Sequence, residues 1–235
     1  MKDSIELKPI LIVSATREKN FNDTRLGSCK ASLKTQAKFE CIVNNTEGLP
    51  KLYNKYFTKK VQDKHDIVVF VHDDVYIDDL KLRGKLYKSM FVDKYDVVGV
   101  AGASECNIKK PALWHLMSSR ESYSGSVYHP ALTSSREPTN QVIPTVFGPA
   151  PKRCLVLDGL FMAFNIRRAR ECKFKFNTNY SFHHYDIAAC LDANEKKMKL
   201  GTSLIHVVHD SPGLASLDDP TFTESQEKFL EQYGQ

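Results

Sequence analysis

Short apolar runs alternate with amphipathic segments along the first hundred residues of the chain. The runs are rich in β-branched residues and bounded by polar ones, which predicts buried strands. These predicted strands cover 9–15, 40–44, 66–72 and 95–102. The segments between them carry apolar residues at helical spacing and are predicted as helices over 24–39, 49–62 and 79–91. This order predicts an α/β fold with a mostly parallel central sheet flanked by helices.

The pattern changes in the second half of the chain. Over 103–153 Ser, Pro and Gly surround isolated aromatic residues, and so long a stretch without clear elements points to a binding lid or irregular hairpins. A strand pair, or a strand with a turn, is predicted over 154–165, and a helix over 185–200. A last strand over 203–210 and an amphipathic helix over 219–233 complete the prediction.

Composition narrows the classes of function. The net charge of +5 is spread along the chain, which argues against nucleic-acid binding and is compatible with a small anionic substrate. The six cysteines show no paired spacing, so we expect reduced thiols. The start of the chain lacks the basic segment of a secretory signal, and no run approaches the roughly 20 apolar residues of a membrane span. We therefore expect a cytoplasmic protein without a transmembrane segment.

A histidine ends the strongest predicted strand, 66–72, and two aspartates directly follow it. Ligands of open α/β sheets bind beyond the carboxyl ends of the strands, where His72, Asp73 and Asp74 are expected to lie. Their proximity is costly through repulsion and desolvation unless a cation or several donors compensate. We therefore interpret Asp73 and Asp74 as part of a metal or ligand site. Asp78 and Asp79 precede a predicted helix and are expected to cap it.

The segment VVFVHDDVYI resembles the metal-binding region of GT-A fold glycosyltransferases, in which an Asp-x-Asp element ends a central strand. It is most similar to a family 2-like branch that has His-Asp-Asp in this place. Four further segments resemble the family in the same order, namely NNTEGLPKLYNKYF, LDGLFMAF, FHHYDIAACL and HVVHDSPG. The resemblance covers about 9–213 and implies the Rossmann-like GT-A fold of nucleotide-diphospho-sugar transferases.

The resemblance also implies how the chain is organised. We expect a single GT-A domain over 1–235. Its donor-binding half is expected over about 1–102, its acceptor-binding half over about 103–213, and a C-terminal helix over about 220–233.

A divalent cation is implied by the same resemblance. Asp74 matches the last aspartate of Asp-x-Asp, and His209 matches the family's late metal-ligating histidine. His72 stands where the common pattern has an aspartate, and it either ligates the metal or contacts the ribose or a phosphate. Oxygen ligands suit both Mg²⁺ and Mn²⁺, while imidazole favours Mn²⁺.

The remaining site residues come from the resemblance as well. It implies that Asp73 contacts the ribose of the donor. The base, ribose and phosphates are further assigned to Ser14, Thr16, Arg17, Asn45 and Asn54. Apart from the resemblance, the two asparagines are equally well ordinary loop and helix residues.

The catalytic residue implied by the family is Asp186, which would accept the proton of the acceptor hydroxyl as that oxygen attacks the anomeric carbon. Asp186 also suits the N-terminus of the predicted helix, and the two roles are compatible. Asp158, followed by glycine, is expected to hold acceptor hydroxyls. Trp114 either stacks on the acceptor sugar or belongs to a small apolar cluster under a long loop.

These observations favour a metal-dependent, inverting glycosyltransferase. Its expected partners are a nucleotide-diphosphate sugar, with UDP as the nucleotide, and a glycan or other hydroxyl acceptor. One alternative is a metal-dependent phosphohydrolase, since His-Asp pairs occur at 72–73 and 209–210, although such hydrolases carry these pairs on helices. The other is a sugar-binding module with the same fold and no turnover.

Overall fold

The computed structural model describes residues 7–133, 138–210 and 219–234. The start of the chain and the last three residues of the HVVHDSPG segment, on which two of the sequence arguments depend, therefore lie outside the described residues. The strands are β1 (Ile10–Ala15), β2 (Ala37–Ile42), β3 (Ile67–Val71), β4 (Val75–Ile77), β5 (Val97–Gly99), β6 (Ala101–Ala103), β7 (Tyr123–Leu132), β8 (Pro138–Gly148), β9 (Arg153–Cys154), β10 (Val156–Leu157), β11 (Phe161–Asn165), β12 (Leu200–Thr202) and β13 (Val207–His209).

The α-helices are short except for two that lie late in the chain. They are α1 (Arg25–Ser28), α2 (Leu49–Tyr53), α3 (Lys59–Lys64), α4 (Leu82–Tyr87), α5 (Trp114–Met117), α6 (Ile166–Glu171), α7 (Tyr185–Glu195) and α8 (Pro220–Tyr233). Short 3-10 turns cover Phe21–Asp23, Asn54–Tyr56, Pro111–Leu113 and Arg120–Ser122, and a π turn over Lys88–Val92 continues α4.

The larger sheet has the strand order β2-β1-β3-β11-β5-β12-β9. Five of its strands run in one direction, while β11 and β9 run in the other. The central strand β3 is buried along its whole length, as its continuous apolar sequence predicts. The predicted α/β fold with a mostly parallel central sheet is confirmed.

A second sheet has the order β10-β6-β7-β13-β4, with β8 paired to the other side of β7. It begins where the chain leaves the first sheet, at the turn from β3 to β4 and at the junction of β5 with β6. Gly125 adapts β7 to this junction. Its φ is +94°, and a Cβ there would lie 1.9 Å from the carbonyl oxygen of Val100, so this position requires glycine.

Aromatic rings dominate the core on one face of the larger sheet. Phe164 of β11 contacts four of them, with ring centroids 5.2 to 5.7 Å apart. These partners are Phe57, Phe70, Phe174 and Phe176. The tilted and edge-to-face arrangements are those that aromatic quadrupoles favour.

The predicted helix over 24–39 is wrong for most of its length. Its helix ends at Ser28, turns follow, and β2 already begins at Ala37. The apolar positions behind the prediction, including Leu26 and Leu33, are buried as expected. Turns rather than a helix bring these residues inward. The backbone is also packed tightly here, since a Cβ on Gly27 would lie 2.0 Å from the carbonyl oxygen of Phe21. Local contacts of this kind override helix propensity.

Other boundaries also differ from the prediction. The helix over 49–62 is interrupted at Phe57, after which Thr58 caps α3. The stretch over 103–153 contains a long hairpin, β7–β8, whose register shifts at two places, in agreement with the expected irregular hairpins. Of the predicted strand over 203–210, only β13 is a strand. The preceding strand, β12, ends before this range and belongs to the other sheet.

The capping prediction holds for neither of the two aspartates in its simple form. Lys81 is the N-cap residue of α4, and its own side chain makes no capping bond. The side chain of Asp78 is exposed. Asp79 is buried and accepts hydrogen bonds from the Lys81 amide, Lys85 Nζ and the His206 amide, so it connects α4 to the segment before β13.

Within the described ranges, no helix combines the length and the apolar character that crossing a membrane requires.

The aromatic core generates a prediction about stability. Replacing Phe164 by Ala removes the ring that contacts four others, and we expect the free energy of unfolding to fall by about 3–5 kcal/mol. Phe91→Ala is the control, because Phe91 is 41% exposed and we expect a loss of about 1 kcal/mol or less. Urea unfolding of both variants measures the difference. Equal losses would contradict the central place given to Phe164.

Candidate active site

Three of the predicted site residues lie together where β3, β4 and β13 meet. His72 and Asp74 belong to the turn after β3, and His209 ends β13, which pairs with β4. One potential ligand atom from each residue lies within 4.8 Å of the other two. His209 Nε2 is 3.3 Å from Asp74 Oδ2. A carboxylate and two imidazoles at this spacing form a suitable donor set for a divalent cation.

The charges of this cluster follow from burial and mutual contact. Burial alone would lower the pKa of His209, but its hydrogen bond to Asp74 and the charge of Asp74 outweigh this effect and raise the pKa. Burial likewise opposes ionisation of Asp74, yet the hydrogen bond from His209 brings the pKa of Asp74 below its usual range. Burial lowers the pKa of His72. Asp74 Oδ1 is buried and accepts no hydrogen bond from the described residues, so a lone pair is free for a further ligand.

The predicted catalytic aspartate lies on the wall of the neighbouring pocket. Asp186 is in the first turn of α7, and its Oδ2 accepts a hydrogen bond of 2.9 Å from the amide of Gly159. Asp158 stands next to that glycine and accepts a bond from the Leu160 amide through Oδ1. Helix α7 begins after His184, whose side chain makes no capping bond, so Asp186 is not the N-cap residue.

Asp186 has an unusual proton affinity. Burial, followed by the negative charge of Asp158, raises the pKa of Asp186 to about 7. Its hydrogen bonds to backbone amides act in the opposite direction and are weaker. A carboxylate with this pKa can take up a proton near neutral pH, which is the requirement for a general base.

Asp186 and the two histidines of the cluster line the same pocket, which has a volume of about 410 Å³. Its lining includes His72 and His209 of the cluster, and also Asp158, Asp186 and Trp114. Four further histidines line the same pocket, namely His115, His129, His183 and His184. Burial lowers the pKa of three of these four, His115, His129 and His184.

The aromatic side chains of the pocket differ in exposure. Trp114 is only 2% exposed, because His115, Tyr123 and Phe147 pack around its ring. This environment fits the alternative of a small apolar cluster, and sugar stacking by Trp114 stays a prediction. Phe182 is 54% exposed and stacks on His72 with ring centroids 5.7 Å apart, so it offers more surface to a ligand.

A second group of predicted residues lies at the ends of β1 and β2. The amide of Asn45 donates to the carbonyl oxygen of Thr16 at 2.8 Å. Ser14 is buried, and its hydroxyl has no partner among the described residues. Arg17 is exposed, and Asp73 adjoins the same strand ends through the register of β1 with β3. None of these residues lines the 410 Å³ pocket, so the predicted site occupies two adjacent areas.

Asn54 differs from the expectation. Its Oδ1 accepts from the Phe176 amide at 2.8 Å, and its Nδ2 donates to the Phe176 carbonyl at 2.9 Å. Both ends of the amide are therefore occupied by the backbone of the segment before α7. This arrangement supports the structural alternative for Asn54, and we do not include it in the proposed donor site.

Two further residues of this region have roles that the sequence motifs did not predict, Arg25 and His184. Arg25 pairs with Asp210 at 3.1 Å, and the amide of Asp210 donates to the carbonyl oxygen of Asp74 at 3.0 Å. The positively charged guanidinium of Arg25 therefore lies close to the cluster. His184 is buried against α8, where Ser225 and Gln226 bond its ring. Arg25 lies in none of the quoted motifs, because a distant segment brings it to Asp210.

Comparison of the sequence with models of protein families gives a match over nearly the whole chain. A family model described as "Glycosyltransferase like family" matches residues 11–233, nearly the whole chain. The chain belongs to this family. The glycosyltransferase resemblance and the GT-A fold expected from the sequence are thereby confirmed, and glycosyl transfer is the general activity that the family name indicates.

The other comparisons add little to the glycosyltransferase assignment. No curated protein shows significant sequence similarity to the chain. The crystal structure of A197 from STIV aligns with a TM-score of 0.48 and 12% sequence identity, covering 90% of this chain and 99% of that one.

The environment of Asp186 generates a titration prediction. Asp158→Asn removes a neighbouring negative charge, so we expect the pKa of Asp186 to fall below 7 while staying above the ordinary 3.8, because burial remains. Carbon-13 shifts of labelled aspartate carboxyl groups measure this change. Asp192→Asn is the control on the same helix, because Asp192 bonds Tyr233 instead, and it leaves the Asp186 titration unchanged. An unchanged pKa in Asp158→Asn would contradict the assigned cause.

Proposed function

We propose that this chain is a metal-dependent glycosyltransferase that moves a sugar from a nucleotide-diphosphate sugar to a hydroxyl of a glycan acceptor, with inversion at the anomeric carbon. UDP is the proposed nucleotide. The observation that carries the proposal is the presence, on one pocket, of a carboxylate with a pKa of about 7 and a separate imidazole–carboxylate cluster. Glycosyl transfer requires both a base for the acceptor and stabilisation of a diphosphate leaving group.

Asp186 is proposed as the base. Its carboxylate takes the proton of the acceptor hydroxyl while the hydroxyl oxygen forms a bond to the anomeric carbon. The bond from that carbon to the diphosphate oxygen breaks, and its electron pair stays on the diphosphate. The Gly159 amide holds the carboxylate at 2.9 Å and fixes its position for this transfer. Asp158, next to that glycine, is proposed to bind acceptor hydroxyls.

Asp74, His209 and His72 are proposed to hold Mn²⁺ or Mg²⁺. The buried, unpartnered Oδ1 of Asp74 supports this, since a lone pair without a donor is costly unless a ligand uses it. When bound, such a cation neutralises charge on the leaving diphosphate. Two imidazoles among three ligands favour Mn²⁺ over Mg²⁺.

The donor nucleotide is proposed to bind at the ends of β1 and β2. The residues proposed there are Ser14, Thr16, Arg17, Asn45 and Asp73. The unpartnered hydroxyl of Ser14 supports this position, because it is a buried polar group without a protein partner among the described residues. Arg25 provides an additional cation near Asp74 for a phosphate, if it exchanges Asp210 for the ligand.

Metal dependence is tested with Asp74→Ala. Loss of the only carboxylate of the cluster is expected to weaken Mn²⁺ binding by more than about tenfold, and with it Mn²⁺-dependent donor binding. Titration calorimetry with Mn²⁺ and a panel of nucleotide sugars measures both. Asp78→Ala is the matched control, since Asp78 lies four residues later and is exposed. Donor binding that is insensitive to chelators would contradict the proposal.

The role of Asp186 is tested with Asp186→Asn. We expect donor affinity to persist and the transfer rate to fall by about 10²–10⁴, because the amide cannot accept the acceptor proton. In the unmodified protein we expect the rate to rise with pH through about 7, as the carboxylate forms. Single-turnover transfer assays followed by product analysis measure these rates, with Asp192→Asn as control. Unchanged transfer by Asp186→Asn would exclude this base.

The same assays separate the alternatives. Release of nucleotide or phosphate without a glycosylated product would favour hydrolysis. Donor binding without any turnover would favour a sugar-binding module.

A further inference from the structure

The hydroxyl of Tyr185 lies between His72 and the loop that holds Asp186. It donates a hydrogen bond of 2.9 Å to the carbonyl oxygen of Gly159, and it is 3.1 Å from His72 Nε2. The side chain is 3% exposed, and its ring packs against Tyr53 and Phe176 with centroids 6.1 Å away in each case. The packed ring therefore restricts the hydroxyl to the partners that lie around it.

The number of protons at this junction determines their positions. A carbonyl oxygen only accepts, so the single hydroxyl proton of Tyr185 is used in the bond to Gly159. The contact with His72 is then a hydrogen bond only if His72 Nε2 carries a hydrogen and donates it to the tyrosine oxygen. If the hydroxyl donated to Nε2 instead, two oxygens would face each other at 2.9 Å without a proton.

We propose that Tyr185 is a positioning residue that fixes His72 in its Nε2–H tautomer. Nδ1 is then the only nitrogen of the neutral His72 ring with a lone pair, and it is the atom that accepts a cation. The consequence for cation binding rests on the function proposed above, whereas the tautomer follows from the hydrogen bonds alone. Groups that bond the second nitrogen of a ligating histidine in this way orient the ring and tune its affinity.

The same hydroxyl also supports the proposed base. Gly159 accepts from Tyr185 through its carbonyl oxygen and donates to Asp186 Oδ2 through its amide. A Cβ at this position would lie 2.8 Å from both the Tyr185 oxygen and Asp186 Cβ, so the loop leaves no room for another residue type. Tyr185 thus connects the histidine of the cluster to the loop that positions Asp186.

The tautomer is tested by long-range proton–nitrogen NMR correlation on metal-free protein labelled with nitrogen-15 histidine. His72→Gln identifies the His72 signals by their loss. We expect wild-type His72 to show the protonated nitrogen at Nε2. An Nδ1–H tautomer in the wild-type protein would overturn the inference, and this measurement requires no variant at Tyr185.

Tyr185→Phe removes the hydroxyl and keeps the ring, so the aromatic contacts persist. We expect His72 to lose its single Nε2–H form and to show a mixture of tautomers. Tyr53→Phe is the control, because the Tyr53 ring packs against Tyr185 in the same aromatic cluster, while the hydrogen bonds to Gly159 and His72 are made by the Tyr185 hydroxyl. A His72 spectrum that is unchanged by Tyr185→Phe, or changed equally by Tyr53→Phe, would overturn the inference.

Mn²⁺ affinity, measured by electron paramagnetic resonance without donor, tests the consequence for the cation. We expect Tyr185→Phe to bind Mn²⁺ about 10–100-fold more weakly and Tyr53→Phe to bind it as the wild type does. Equal affinity of Tyr185→Phe and wild type would overturn the positioning role. If wild-type protein binds no Mn²⁺, the proposed function fails, and the NMR result alone decides the assignment of the tautomer.

Discussion

The turn between β3 and β4 is the constraint on which the candidate site depends, because it belongs to both sheets at once. On one side, the amide of His72 bonds the carbonyl of Leu160 at 3.1 Å, which fixes the turn to the loop before β11. On the other side, the amide of Asp210 bonds the carbonyl of Asp74 at 3.0 Å and fixes it to the end of β13. Backbone hydrogen bonds on both sides therefore fix the turn that carries His72 and Asp74. A backbone fixed in this way positions these side chains more precisely than a free loop would.

Two carboxylates at this site have opposite proton affinities for identifiable reasons. Asp74 shares a hydrogen bond with His209, so its pKa is lowered despite burial. Asp186 meets burial and the charge of Asp158, so its pKa is raised to about 7. Environments that separate the pKa values of neighbouring acids also separate their functions. For the proposed reaction, the group with the lowered pKa suits a cation, and the group that exchanges protons near neutral pH suits a base.

Much of the fold was predictable because its central strands are buried and apolar along their whole length. The meeting of Asp74 and His209 was expected only from the family resemblance, since β4 and β13 have three residues each and give no periodicity. Irregular hairpins were one expectation for 103–153, but the strands β7 and β8 could not be placed, because β8 is exposed over 141–146 and contains Pro144, so neither alternation nor continuity marks it. His129, which this hairpin brings to the pocket, could not have been assigned without it.

The charge of the pocket explains why a cation is central to the proposed function. The described residues that line it include Asp158 and Asp186, and neither Lys nor Arg is among them. Burial lowers the pKa of four of its six histidines, which favours their neutral form near pH 7. A diphosphate that gains negative charge as its bond to the sugar breaks would meet mostly neutral or negative groups here. The compensating charge must then come from the side of His209 and Arg25 or from a bound cation, and the free lone pair of Asp74 lies on that side.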